Sequence, residues 1–241
     1  MDILLLAIIT AFLCLEQYSL YKNITSRRKE LTVKQRAYVL SIKAAVSMLL
    51  IGVFYNYKWY QAGFDLNMYK DNLTDSDHII QKLAILSFSS YLLMDSIIGH
   101  HHYHKYMRVL SGYLHHIVYL CVNMLALWSG EYPFFLLFML EELPTVFLSI
   151  GSFNEKYRKN YTFGITFFLT RIVFHAFLIY KMYQNGSLLV ATLASVVLVL
   201  HVYWFYGWVK KYLSVGKVGK SNQHRRCTQT INNETMKQKH N

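Results

Sequence analysis

The stretch Leu188–Val209, LLVATLASVVLVLHVYWFYGWV, contains no Asp, Glu, Lys or Arg, and His201 is its one histidine. At 1.5 Å per residue a helix of that length reaches about 33 Å, enough to cross a hydrocarbon core about 30 Å thick. Its apolar residues lie all round the helix rather than on one stripe, so it is not the amphipathic face of a soluble bundle. Working outward, six more windows read the same way, at about 2–21, 37–57, 79–99, 112–129, 133–150 and 163–183. Inside lipid every backbone polar group must be bonded within the protein, which selects helices. The pattern predicts an all-α, polytopic transmembrane helix bundle of about seven spans. The fourth window carries His115, His116 and Asn123.

Composition agrees. Hydrophobic residues are 54% of the 241 and charged residues 16%, against roughly 25% charged in soluble chains, which argues against an ordinary soluble enzyme. Cys14, Cys121 and Cys227 are scattered and odd in number, so neither a disulfide framework nor a CxxC zinc site is expected. No Walker, dinucleotide or nucleophile-elbow motif occurs, and neither a metal nor a cofactor is called for. The histidines at 100, 101, 102 and 104 read as a solvated loop rather than a metal tract. The chain is expected to comprise an anchor helix with a basic loop (1–34), a membrane domain (35–212) and a disordered basic tail (213–241). The first window has no basic start and no A-x-A cleavage site, and reads as a retained anchor.

The formal net charge is +12, and its placement decides its meaning. Nineteen Lys and Arg residues fall after windows one, three and five and in the tail, among them Lys22, Arg27, Arg28, Lys105, Arg108, Lys156, Arg158 and Lys159. Basic loops face the cytosol, so the expected orientation is N-terminus lumenal and C-terminus cytosolic. The charge then serves topology and attraction to anionic headgroups, and no nucleic-acid partner is required. Tyr and Trp residues cluster at the window ends, where headgroup depth suits amphipathic rings.

Ionisable groups at membrane depth cost a few kcal/mol each, roughly 2.5–3.5 at a helix centre on insertion scales, so each needs a reason. They are Glu16, Lys43, Asp95, His115, His116, Glu141, Glu142, Arg171, His175 and His201. On the expected orientation nearly all sit in the cytosolic half, which predicts a polar cavity opening to the cytosol. Asp95, Glu141 or Glu142, Lys43 and Arg171 supply both signs for mutual neutralisation. Arg171 and His175 are four apart and share a helical face. His115 and His116 lie about 100° apart on a helix, so no more than one of them can point squarely inward. Glu16 and His201 read as packing or snorkelling groups. Pro144 removes the hydrogen bond to the carbonyl of Leu140, placing a freed carbonyl beside two carboxyls. Pro133 reads as a helix start. The ligand-binding candidates are therefore Asp95, His116, Glu141, Glu142, Arg171 and His175.

The chain ends Lys237-Gln-Lys239-His-Asn, which resembles a dilysine retrieval signal and implies coat machinery as a partner and the endoplasmic reticulum as residence, with the plasma membrane as the alternative. Of five N-x-S/T sequons, Asn72 is the one in a lumenal loop clear of the membrane.

The order Tyr91-Leu-Leu-Met-Asp95, Leu114-His115-His116, Phe138-Met-Leu-Glu141-Glu142-Leu-Pro144 and then Arg171 resembles the TLC-domain proteins, over about residues 35–212. These include ceramide synthases, the TRAM translocon proteins and smaller lipid-homeostasis members, and the smaller members match best. The resemblance implies six or seven helices around a lipid-accommodating cavity. In the synthases a His pair and downstream aspartates transfer an acyl group from acyl-CoA to a sphingoid amine; carried over, His115 and His116 would be the acid/base pair, with acyl-CoA as substrate. The aspartate-rich synthase run is replaced here by Glu141-Glu142-Leu-Pro144. The expected function is lipid homeostasis, through binding of membrane lipid, an acyl chain or a sphingoid base. Acyl transfer is the alternative, and a cargo receptor cycling from the reticulum the second.

Overall fold

The computed structural model describes residues 3–212, which are helical with no strand among them. The tail, with Cys227, Lys237 and Lys239, lies outside the described residues. The chain divides after Leu198 into two compact units. The second, as far as residue 212, is the end of the helix Leu188–Tyr212, along which the rings of Phe205, Trp208 and Tyr212 stack at 5.9 and 5.5 Å. In this unit His201 packs its ring 5.9 Å from that of Trp204.

The first unit contains α1 (Ile3–Arg27), α2 (Val33–Arg36), α3 (Val39–Gln61), α4 (Leu66–Asp71), α5 (Asp75–His102), α6 (His115–Ser129), α7 (Tyr132–Leu137), α8 (Leu143–Phe153), α9 (Asn160–Phe167) and α10 (His175–Gln184). The start of α11 (Leu188–Tyr212) also belongs to it. Several of these join into longer rods: α7 continues through a 3₁₀ segment, Phe138–Glu142, into α8, and α9 continues through a π segment, Phe168–Phe174, into α10. Six helices are then long and apolar enough to cross a membrane: 4–27, 33–61, 75–102, 132–153, 160–184 and 188–212.

The fourth window departs from regular α-helix at its start. It opens as a π turn, Val109–Leu114, before the 15-residue α6, which ends at Gly130 with φ 76°. The π turn runs without a break into α6, so the two make one rod over residues 109–129. The histidine tract also differs: His100, His101 and His102 form the exposed last turn of α5 rather than a loop.

Polar locks tie the rods together. At one end of the bundle Lys58 of α3 donates to both carboxylate oxygens of Asp77 at 2.6 Å, and Tyr55 donates to the Asp77 carbonyl at 3.2 Å. Asp77 also closes a capping box with Thr74, satisfying amides that a helix start leaves bare. At the other end Lys34 donates to Glu155 at 2.9 Å, which holds the exposed Glu155 carboxyl below the usual carboxylate range. Within the membrane zone Glu16 of α1 pairs with Lys43 of α3 at 2.6 and 2.9 Å, so Glu16 is not an isolated snorkelling group. Asn72, the C-cap of α4, is exposed.

One close approach positions the site. A Cβ on Gly52 of α3 would lie 2.6 Å from the backbone at Met139 and Leu140, so glycine lets α3 rest directly on the 3₁₀ segment. Four residues on, Asn56 donates to its own helix at Gly52 and across to the carbonyl of Leu137. Gly52→Ala should therefore lower stability by about 1–3 kcal/mol through overpacking. Helix propensity alone predicts a gain of up to about 1 kcal/mol, so the sign separates the two effects. Thermal unfolding in mild detergent reads it, and a variant at least as stable as the parent would mean that the helix and segment are not in contact.

Candidate functional site: a cleft with a paired polar floor

The seven candidate residues gather into two clusters. The first surrounds Asp95 of α5 and His116 of α6, with both side chains almost fully buried. Tyr103, the residue after α5, donates to Asp95 Oδ1 at 2.6 Å. Ser96 donates its hydroxyl proton to the Leu92 carbonyl at 2.7 Å while its oxygen sits 2.9 Å from His116 Nδ1. With that proton committed, Nδ1 carries the imidazole hydrogen, and Nε2 faces Asp95 Oδ2 at 3.9 Å, too far for a hydrogen bond. His116 also lies 5.9 Å from the ring of Tyr91. Farther along the same face Asn123, fully buried, donates to Ser89 at 2.8 Å. His115 is less buried than His116 and lays its ring 4.5 Å from that of Tyr119. Of the histidine pair, His116 points inward.

The second cluster is built by the irregular helix around Pro144. The 3₁₀ segment hands the Leu140 carbonyl to the Leu143 amide, so the acceptor vacated by Pro144 is reclaimed one residue earlier. The carbonyl that receives outside help is that of Glu141, which accepts from Arg171 Nε at 2.9 Å. Arg171 Nη2 also donates to Thr145 Oγ1 at 2.8 Å and reaches Glu142 Oε1 at 3.4 Å. His175 Nε2 lies 2.8 Å from the Ala194 carbonyl, so it carries a hydrogen, and Nδ1 lies 2.8 Å from Glu141 Oε1. One proton shared between Nδ1 and that carboxyl makes the pair net neutral whichever side holds it. Both Arg171 and His175 are buried, and the π segment delivers Arg171 to Glu142 while His175 meets Glu141. That split between the two carboxyls was not legible from their spacing.

This second cluster forms the floor of a cleft. The cleft lies between α6, the 132–153 rod, α10 and the start of α11. Glu141, Glu142 and His175 line one end, Glu131 the other, and Val122, Ala126, Phe135, Met139 and Leu193 are among the apolar residues between them. Its exposed lining residues are Ser129 and Leu189, beside the turns at 130–131 and 185–187. Those turns follow the fourth and sixth windows, whereas the basic loops follow the first, third and fifth. The deep polar residues are the floor, and access lies beyond the apolar stretch.

A family model described as TLC domain matches residues 35–210. The chain belongs to the TLC domain family. Neither the curated proteins nor the solved structures yield a match. The TLC domain begins after α1, yet α1 is fastened to it inside the membrane zone by Glu16–Lys43 and by packing along α5. Within the TLC domain the cleft residue that sequence reading missed is Glu131. Its place between two spans makes it look like ordinary loop polarity. Ser96, Tyr103 and Thr145 were missed because they act as partners, and nothing in their spacing marks them.

The Arg171–Glu142 side chains are 10% and 13% exposed. Removing one member of such a pair strands its partner, at about 3–5 kcal/mol, whereas removing both with apolar groups recovers much of that loss. Arg171→Leu should show the large loss and Arg171→Leu with Glu142→Leu a smaller one, read by equilibrium unfolding in micelles. A single-variant loss below about 1 kcal/mol would place the pair among water-exposed bridges instead.

Proposed function

We propose that this TLC-domain membrane protein acts in lipid homeostasis by binding membrane lipid, with an acyl chain held in the cleft between Glu131 and Glu141. The observation supporting this reading is the character of the cleft, which is apolar along its length and closed by polar groups already paired with one another. Ten residues of helix separate Glu131 from Glu141, about 15 Å by rise. That is roughly half of a 30 Å hydrocarbon core, the depth of one leaflet. A floor neutralised internally offers no net charge to a ligand, so a chain end suits it better than a headgroup. On the orientation favoured by the basic loops, the rim is at the lumenal end. The smaller lipid-homeostasis members of the family fit this reading better than the synthases do.

Filling the cleft tests it. Leu193→Trp should reduce the lipid that co-purifies with the protein, measured by mass spectrometry of extracted lipids, by about fivefold for a blocked site. Melting temperature controls for folding, and an unchanged lipid complement with the cleft filled would sink the reading.

Acyl transfer from acyl-CoA to a sphingoid amine is the second reading. It is favoured by the buried His116, a group of the acid/base type, whose Nδ1 meets Ser96 and whose Nε2 faces Asp95 without a hydrogen bond. Against it, His115 and His116 do not line the cleft. Incubation with acyl-CoA and sphingoid base decides: turnover lost in His116→Ala would move the assignment to an enzyme, and no turnover in the parent would remove this alternative.

Residence in the endoplasmic reticulum, through Lys237 and Lys239 facing the cytosolic coat, completes the proposal. Replacing both lysines with serine should release the protein to later compartments by fluorescence microscopy, and unchanged residence would withdraw the retrieval signal.

A further inference from the structure

We propose that the rim of the cleft recognises the headgroup of a zwitterionic phospholipid, Glu131 taking its ammonium and Lys82 its phosphate, while one acyl chain occupies the cleft. The inference rests on the lipid-binding reading and adds headgroup selectivity to it.

Glu131 follows Gly130, whose left-handed backbone (φ 76°) ends α6 and turns the chain into α7. Its side chain lines the cleft, and Oε2 is buried without a hydrogen-bond partner among the described residues. Withdrawing a carboxylate oxygen from water without a partner is costly, and a bound cation would offset that cost. The adjacent residue, Tyr132, is where the opposite charge gathers. Lys82 of α5 holds its ammonium 5.1 Å from the centre of the Tyr132 ring, and His78 Nδ1 sits 3.0 Å from the Tyr132 hydroxyl. Lys82 has no ion-pair partner among the described residues, and Glu131 has none either. A carboxylate on the cleft and an ammonium over the ring of the next residue, neither in an ion pair, offer the two signs that a zwitterionic ligand carries.

Depth agrees with a headgroup. Trp128 is 84% exposed one residue before Ser129, and outward tryptophans mark the interface. From there the cleft runs inward by one leaflet to the neutral floor, so headgroup and chain fall at the depths that a bilayer lipid already gives them. The chemistry also excludes neighbouring classes. Phosphatidylglycerol would bring its net negative charge to Glu131 with no ammonium to meet it, and a single-chain amine would leave Lys82 unanswered and face its repulsion.

The test uses purified full-length protein, delipidated in mild detergent and titrated with phosphatidylethanolamine, phosphatidylcholine, phosphatidylglycerol and a single-chain long-chain amine, binding being read by native mass spectrometry. The two zwitterionic lipids should bind about tenfold more tightly than phosphatidylglycerol, an effect of the size charge complementarity produces. Glu131→Gln, nearly isosteric, should erase that preference. Lys82→Met, which keeps the apolar stem, should raise binding of the amine relative to the zwitterions. Equal binding of phosphatidylglycerol by the parent, or an unchanged preference in Glu131→Gln, overturns the proposal while leaving lipid binding intact. If the parent binds none of the four, lipid binding itself fails, and this proposal with it.

Discussion

A guanidinium gripping a backbone carbonyl inside the membrane zone organises this bundle. Pro144 prevents the 132–153 rod from completing regular α-helical bonding, and lipid supplies no water to cover the groups left over. The 3₁₀ segment closes part of the deficit internally, and Arg171 covers the Glu141 carbonyl with Nε while its Nη2 holds Thr145 and approaches Glu142. A lysine has no planar fork with which to serve three acceptors in different directions. The same irregularity aims the Glu141 carboxyl at His175, so the polar floor follows from the way the proline is accommodated. Gly52 permits the arrangement from the opposite side by letting α3 lie against the segment without a side chain between them.

Much of the fold was legible because lipid imposes a coarse rule on composition. Leu188–Val209 and its relatives had to be helices, and six of the seven windows are long apolar helices. The start of the fourth was not legible because it is governed by hydrogen-bond register: a π turn leaves no mark in residue type that distinguishes Val109–Leu114 from α-helix. The π segment before His175 was hidden for the same reason. Candidate residues were legible where burial is expensive, so Asp95, His116, Glu141, Arg171 and His175 could be named from their cost alone. Partnerships were not. Glu16 with Lys43, Tyr103 with Asp95 and Glu141 with His175 join segments far apart in sequence or separated by a turn, and pairing between rods depends on their rotation. Glu131 escaped notice because at a span end a carboxylate is cheap; only its placement on the cleft distinguishes it.

The two polar clusters have different tasks by construction. Around Asp95 and His116 the groups are enclosed on all sides by α5, α6 and the Tyr103 corner, and their hydrogen bonds hold one helix against another. Around Glu141 and His175 the groups are equally well bonded but stand at the end of an open space. Buried pairs of either kind are weak evidence of stabilisation in themselves. What separates them is access, since one cluster has none through the cleft and the other borders it.

That distinction bears on whether chemistry takes place. Acyl transfer needs the acid/base group within hydrogen-bond reach of the reacting amine, hence in the same space as the chain it serves. The connection available here runs from His116 to His115 at 5.8 Å between ring centres, and on to Tyr119, which does line the cleft, at 4.5 Å. Two aromatic contacts in series transmit packing but carry no proton in the way a hydrogen-bonded chain would. For His116 to act on a lipid in the cleft, α6 would have to rotate or shift along its axis, and its π-turn beginning is the place where such a shift costs least in broken α-helical bonding. Binding without turnover needs no such movement: the floor is already neutral, the walls are already apolar, and Glu131 already lines the cleft.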